Sequence, residues 1–203
     1  MSMTKEMTSG KPYKLILSFA IPLILGNVFQ QLYNMVDTVI VGKFVGVNAL
    51  AGVGSTGAIN FLVIGFALGI CSGFSIMIAQ RFGAGDYSGM RKFIANSIYL
   101  CIAVAVILTA VTMLLTKPIL TVMNTPKEIY DYAYNYIIII FAGISATMFY
   151  NILSGILRAV GDSRTPLIFL GVSSVLNVGL DLLCIIVFKM GVAGAGIATV
   201  ISQ

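Results

Sequence analysis

Apolar residues run along this chain in long blocks, and short stretches between them hold nearly all of the charge. A helix rising 1.5 Å per residue needs about 20 such residues to cross a hydrocarbon layer of roughly 30 Å. Five blocks meet that length, at 13–41, 49–79, 93–116, 129–157 and 166–188, and a sixth opens at 191 and stops at 203. Those last residues would cover only about 20 Å, so the sixth span is expected to be truncated. The pattern predicts an all-α polytopic membrane protein with a short tail over residues 1–12 and a transmembrane region over 13–203.

Composition agrees with a bilayer as solvent. Of 203 residues, 59% are hydrophobic and 9% charged, and the mean hydropathy is +1.02, beyond the range of soluble domains. Assigning alternate loops to opposite sides puts Lys5, Lys11, Lys14, Arg81, Arg91, Lys92, Arg158 and Arg164 on the amino-terminal side and Lys43, Lys117, Lys127 and Lys189 on the other. That excess predicts a cytoplasmic amino terminus. Orientation and lipid headgroup contact account for the basic loops, so no nucleic-acid partner is expected. The run from Leu15 to Leu25 continues too far for a signal peptide. Three scattered cysteines without a CxxC spacing, and no histidine at all, leave no case for a disulfide framework or a zinc site.

The first span breaks its own apolar pattern in "NVFQQLYNMVDTVIVG", residues 27–42. At about 100° per residue, Asn27, Gln30, Gln31, Asn34, Asp37 and Thr38 share an arc of roughly 120°. Polar groups facing lipid tails are costly, so this face is expected to look into a bundle interior or a wet cavity. Helix-joining hydrogen bonds are the plain reading of the amides. Asp37 is the exception, because an ionisable group in a span is by default a functional-site candidate.

A second intramembrane acid, Asp181, follows Asn177 by four residues and therefore shares its helix face. Asp37 precedes Lys43 by six residues and Asp181 precedes Lys189 by eight, so both sit roughly 9 to 12 Å inside the outer boundary. Counted down from the same boundary, Thr199 and Tyr136 reach that level too. Two carboxylates in one desolvated site cannot both stay ionised without help, so a proton or a cation is expected between them. The oxygens of Asp37, Asn177, Asp181 and Thr199 suit a hard cation such as sodium as well as a proton.

Pro22 stands about ten residues into the first span, where it removes a helix hydrogen bond and marks a kink or hinge. The glycines of "VGKFVGVNALAGVG" mark tight turns and close helix approach. "QRFGAGDYSGMRK" and "LRAVGDSRTP" each pair an arginine with a Gly-Asp turn, as expected of a weak internal repeat and a salt-bridged helix end. "GAGD" at 83–86 also matches a pattern of intramembrane aspartyl proteases. That chemistry needs two aspartates meeting within the membrane, whereas Asp86 lies in a loop beside Arg81, Arg91 and Lys92.

With these residues in view, the chain resembles the amino-terminal lobe of multidrug and toxic compound extrusion (MATE) transporters of the bacterial type. The matching pieces are Pro22, "QQLYNMVDTVIVGKFVG", "LAGVG", "GAGDYSGMRK", "LRAVGDSRTP", "NVGLD" and "GAGIATVISQ", in that order over nearly the whole chain from Pro12. The resemblance implies half of a twelve-helix fold. It implies that Asp37, Asn177, Asp181 and Thr199 form a cation site with Tyr136 beside it, and that Pro22 bends the first helix when the site is protonated. Asn27, Gln30, Gln31, Tyr33 and Asn34 would line the substrate cavity. Asn151 matches a polar position of the family, but its depth places it near the cytoplasmic end, outside the first tier of site residues.

The expected function is a non-enzymatic, H+- or Na+-coupled antiporter exporting amphiphilic, often cationic compounds by alternating access. Its partners would be membrane lipids, the small substrates and a carboxy-terminal lobe of the same polypeptide. It would be a multi-pass protein of the bacterial inner (plasma) membrane. No cofactor is expected beyond the coupling ion. The alternative is a flippase of the same superfamily moving lipid-linked oligosaccharides, which needs a large cationic cavity; every buried charge found in these spans is acidic.

Overall fold

A computed structural model describes residues 11–203, so of the expected tail 1–12 only the last two residues fall within it. Among the described residues eight α-helices follow one another: α1 Pro12–Phe44, α2 Val47–Ser55, α3 Gly57–Gly83, α4 Tyr87–Val122, α5 Lys127–Ala142, α6 Ile144–Ala159, α7 Arg164–Leu182 and α8 Val192–Ser202. A π-helical turn, Leu183–Val187, continues α7. There is no strand among the described residues.

Helices α1, α3, α4 and the α7–π unit are each long and apolar enough to cross a membrane. Two of the apolar blocks are divided where one span each was expected. The block at 49–79 breaks at Thr56 into α2 and α3. Ser55 and Thr56 donate their hydroxyls to the carbonyls of Gly52 and Val53 at 2.8 and 2.7 Å, side-chain bonds to the backbone at the point where the helix is interrupted. The block at 129–157 is α5 and α6, bent by 46° at Gly143. A side chain on Gly143 would overlap Val200, so α8 packs against the bend itself. Hydropathy does not register either break, since the residues on both sides are equally apolar.

Turns at the helix ends use the expected chemistry. Asp86 caps α4 by accepting the Gly89 N–H at 2.8 Å, and its other oxygen pairs with Arg81 at 2.8 Å. Gly161, at φ +87°, ends α6, and the Asp162 side chain caps α7.

Two apolar clusters hold the bundle. One joins α3, α4, α5 and α6 around Cys71, Leu120, Phe141, Ile144 and Met148; the other joins α1, α2, α5, the π turn and α8 around Val41, Ala49, Tyr136, Ile140 and Ala195. Helix α2 presses so closely on α5 that a Cβ on Gly52 would stand 2.6 Å from Cβ of Tyr132. Helix α1 is the least enclosed span, seated mainly against α7 and α2.

Candidate functional site

The second cluster carries a polar patch on its flank. Asn177 and Asp181, one turn apart on α7, are both fully buried, and Asp37 of α1 is 9% exposed. Packing of α1 on α7 sets the Asp37 and Asp181 carboxyl groups beside each other. Asp37 Oδ1, both carboxyl oxygens of Asp181 and both polar atoms of the Asn177 amide find no hydrogen-bond partner. Among the described residues the one salt bridge is Arg81–Asp86, so neither acid has a basic partner.

The chain's local structure sets this up. Asp181 ends the regular part of α7, and the π turn after it widens the helix where α8 returns. That return is close: a Cβ on Gly194 would lie 3.0 to 3.3 Å from Cys184, backbone included. Helix α8 then runs beside α7 and α5 and sets Thr199 and Ser202 next to the Tyr33 hydroxyl. Thr199 already donates to the Ala195 carbonyl at 2.9 Å, which leaves its oxygen as an acceptor. Tyr136, buried on α5, lies near Asp37, Asp181 and Tyr33.

The polar face of α1 is shared between three surroundings. Asp37 is buried against α7; Asn27, Gln30 and Tyr33 line a cavity of about 330 Å³; Gln31, Asn34 and Thr38 stand on the exposed surface of α1. Asn34 there contacts Gln31 at 3.4 Å, and Thr38 bonds back to the Asn34 carbonyl at 2.7 Å. Gln31 and Asn34 are not part of this cavity's lining; their side of α1 is uncovered by any other described helix.

The cavity runs between α1, α6 and α7, with Pro22 and Arg158 among its lining and Tyr33 joining it to the acid pair. Between Pro22 and Tyr33 it follows α1 for about 16 Å. Asn151 lines it as well, donating to the Thr147 carbonyl at 2.8 Å. Its depth kept it out of the first tier of site residues in the sequence; the cavity reaches it because α6 supplies the wall facing α1. Arg158 amends the view that only acids face the interior: in the last turn of α6 it is half-buried on the cavity wall.

The chain matches the MatE family over residues 22–183. It belongs to the MATE family of transporters. It is 33% identical over 198 residues to the probable multidrug resistance protein YpnP of Bacillus subtilis, covering 98% of this chain and 44% of that protein. With the probable multidrug resistance protein NorM of Thermotoga maritima it shares 34% over 194 residues, covering 94% and 42%. A solved outward-facing multidrug resistance MATE transporter superposes with a TM-score of 0.90 at 31% identity, covering 98% of this chain and 45% of that one. The chain spans less than half the length of the relatives it matches. It is therefore a multi-pass MATE protein corresponding to one lobe of such a transporter, in a family of transporters and not enzymes.

Two features of this MATE lobe lie outside the sequence-derived site. Ser202 joins Thr199 at Tyr33; its spacing of three on one helix was the available signal. Tyr33, read as cavity lining, also meets α8, a contact that no spacing within α1 encodes.

Proposed function

We propose that the protein is a cation-coupled antiporter, using protons or sodium ions, that exports amphiphilic, often cationic compounds by alternating access. The observation that carries this reading is the pair of facing carboxyl groups, Asp37 and Asp181, buried beside an unpartnered Asn177 amide, with no basic residue among the described ones paired to either. Such an arrangement is costly with both acids ionised, so it calls for a proton or a metal cation. Oxygens of Asp37, Asp181, Asn177 and Thr199 are the available ligands for sodium, with Tyr136 adjacent.

Substrate would occupy the cavity beside Tyr33, drawn by the acid pair. Loading the pair with protons or sodium removes negative charge and weakens the hold on a cationic substrate, while an empty pair restores it. Exchange of the two ligands then follows from competition for the same charge. Rocking against a carboxy-terminal lobe would expose the site to alternate sides. We place the protein in the plasma membrane, with the Arg81–Arg91 and Arg158–Arg164 turns and the amino terminus on the cytoplasmic side.

The relatives named for multidrug resistance support this reading. A flippase for lipid-linked oligosaccharides is less favoured, because Arg158 is the lone cation on the cavity wall among the described residues. The test is efflux of a fluorescent lipophilic cation from cells carrying the full reading frame, with D37N and D181N at matched expression and the proton and sodium gradients collapsed separately. Loss of gradient-driven efflux in both variants supports the proposal and identifies the ion. Efflux that survives in both variants overturns it.

A further inference from the structure

Tyr150, Ser154 and Arg158 follow one another at intervals of four on α6 and so form one line along that helix. All three line the cavity of about 330 Å³. Ser154 is 6% exposed, and Tyr150 and Arg158 are half-buried. Each side chain is a hydrogen-bond donor, yet none of the three makes a hydrogen bond or an ion pair among the described residues. A serine within a helix commonly returns its hydroxyl to the carbonyl one turn earlier, as Ser75, Ser97 and Ser174 do here. Ser154 does not.

The line also has a direction. Gly26 of α1 lies against Leu167 and Leu170 near the start of α7, and Asp37 packs beside Asp181 at its end, so the two helices run parallel. Arg158, three residues before the Gly161 turn that leads into α7, therefore stands at the Pro22 end of the cavity. Tyr33 stands at the other end, and Asp37 follows it by one turn on the same face of α1. Acid flanks one end of the cavity and an unpaired guanidinium the other, across about 16 Å of α1. A cation in the last turn of α6 also suits the helix dipole and a nearby lipid headgroup. That accounts for the charge of Arg158, but not for three donors in line on a cavity wall without a partner.

We infer that Arg158, with Ser154 and Tyr150, forms a subsite for the anionic group of an amphiphilic substrate whose cationic end faces the acid pair. The inference rests on the export reading above and extends its substrates from cations to zwitterions. A guanidinium holds a carboxylate through two parallel N–H···O bonds, and the two hydroxyls each have one more to donate. With one cation on the wall, the subsite takes a single anionic group such as a carboxylate.

A matched pair of probes tests this: trimethylammonio decanoate and its methyl ester, which keeps the ammonium and loses the carboxylate. Equilibrium binding of each is measured on the full-length protein in phosphatidylcholine nanodiscs. The acid should bind about tenfold more tightly than the ester. R158Q should erase that advantage, R158K should keep part of it because the charge remains without the fork, and S154A should reduce it about threefold. D37N should weaken both forms. Each ratio is taken on one preparation, so it does not depend on how much of a variant is folded. Ester binding with no gain for the acid, or a gain that R158Q retains, would overturn the inference alone. A gain lost when phosphatidylglycerol replaces phosphatidylcholine would assign Arg158 to a lipid headgroup and overturn it too. If neither form binds, the export reading falls and takes the inference with it.

Discussion

The carboxyl groups of Asp37 and Asp181 face each other at the α1–α7 contact, and among the described residues no lysine or arginine pairs with either of them. Asn177, one turn before Asp181, adds an amide with both polar atoms unpartnered. A buried carboxylate without a partner works against stability. Asp181→Asn should therefore raise the thermal stability of the protein, by about 1 to 3 kcal/mol, while reducing ion-driven export at least tenfold. Thermal unfolding and efflux on the same preparation check this. A variant that is both less stable and fully active would show the acids to be structural.

Tyr33 links the acid pair to the cavity and contacts Thr199 and Ser202 of α8. Tyr33→Phe keeps the ring and removes the hydroxyl, at a cost of about 1 kcal/mol. Export should fall several-fold while the fold is retained, and the ion concentration giving half-maximal export should shift. Unchanged ion dependence would separate Tyr33 from the carboxylates.

Gly52 is where α2 meets α5, with the Tyr132 Cβ 2.6 Å and the Ala133 backbone nitrogen 3.0 Å from any added Cβ. Since backbone cannot yield as a flexible side chain can, Gly52→Ala should destabilise the lobe by about 1 to 3 kcal/mol. Gly54, with nothing near its Cβ position, is the matched control, and Gly54→Ala should have little effect. Comparing the unfolding temperatures of the two variants decides it, and equal losses would contradict the close contact.

Asp162 begins α7 by accepting the Arg164 and Thr165 N–H groups at 3.1 and 3.0 Å and the Thr165 hydroxyl at 2.6 Å. Burial pushes its carboxyl upward, but the Thr165 hydroxyl, the two amides and the Arg164 charge outweigh it and hold the group below the ordinary carboxylate range. A folded value below the unfolded one means that the contribution is complete above about pH 4, the unfolded aspartate value. It fades as pH falls through the lower folded value. Asp162→Ala should cost about 1 kcal/mol at neutral pH and abolish this acid dependence. Amide hydrogen exchange at the start of α7, measured against pH, is the check; identical profiles in both proteins would count against the cap.

The amino-acid sequence by itself determined the apolar blocks, the helical class and the positions of the two acids along their helices. Each depends on quantities local to one segment: the length of an apolar block, the spacing of Asn177 and Asp181 on one face, and their distance from Lys189. The family pattern was legible in the same way, because its motifs are short and ordered along the chain. Tertiary structure decided which part of the polar face on α1 is enclosed, since Asp37, Gln30 and Gln31 are equally polar in sequence and differ only in the helix opposite them. It also decided the breaks at Thr56 and Gly143, where packing of α5 and α8 redirects helices that hydropathy shows as continuous, and it carried the cavity down to Asn151 and Arg158. Periodicity reports what one helix presents, whereas a site made of α1, α5, α7 and α8 exists only once those helices have chosen their neighbours.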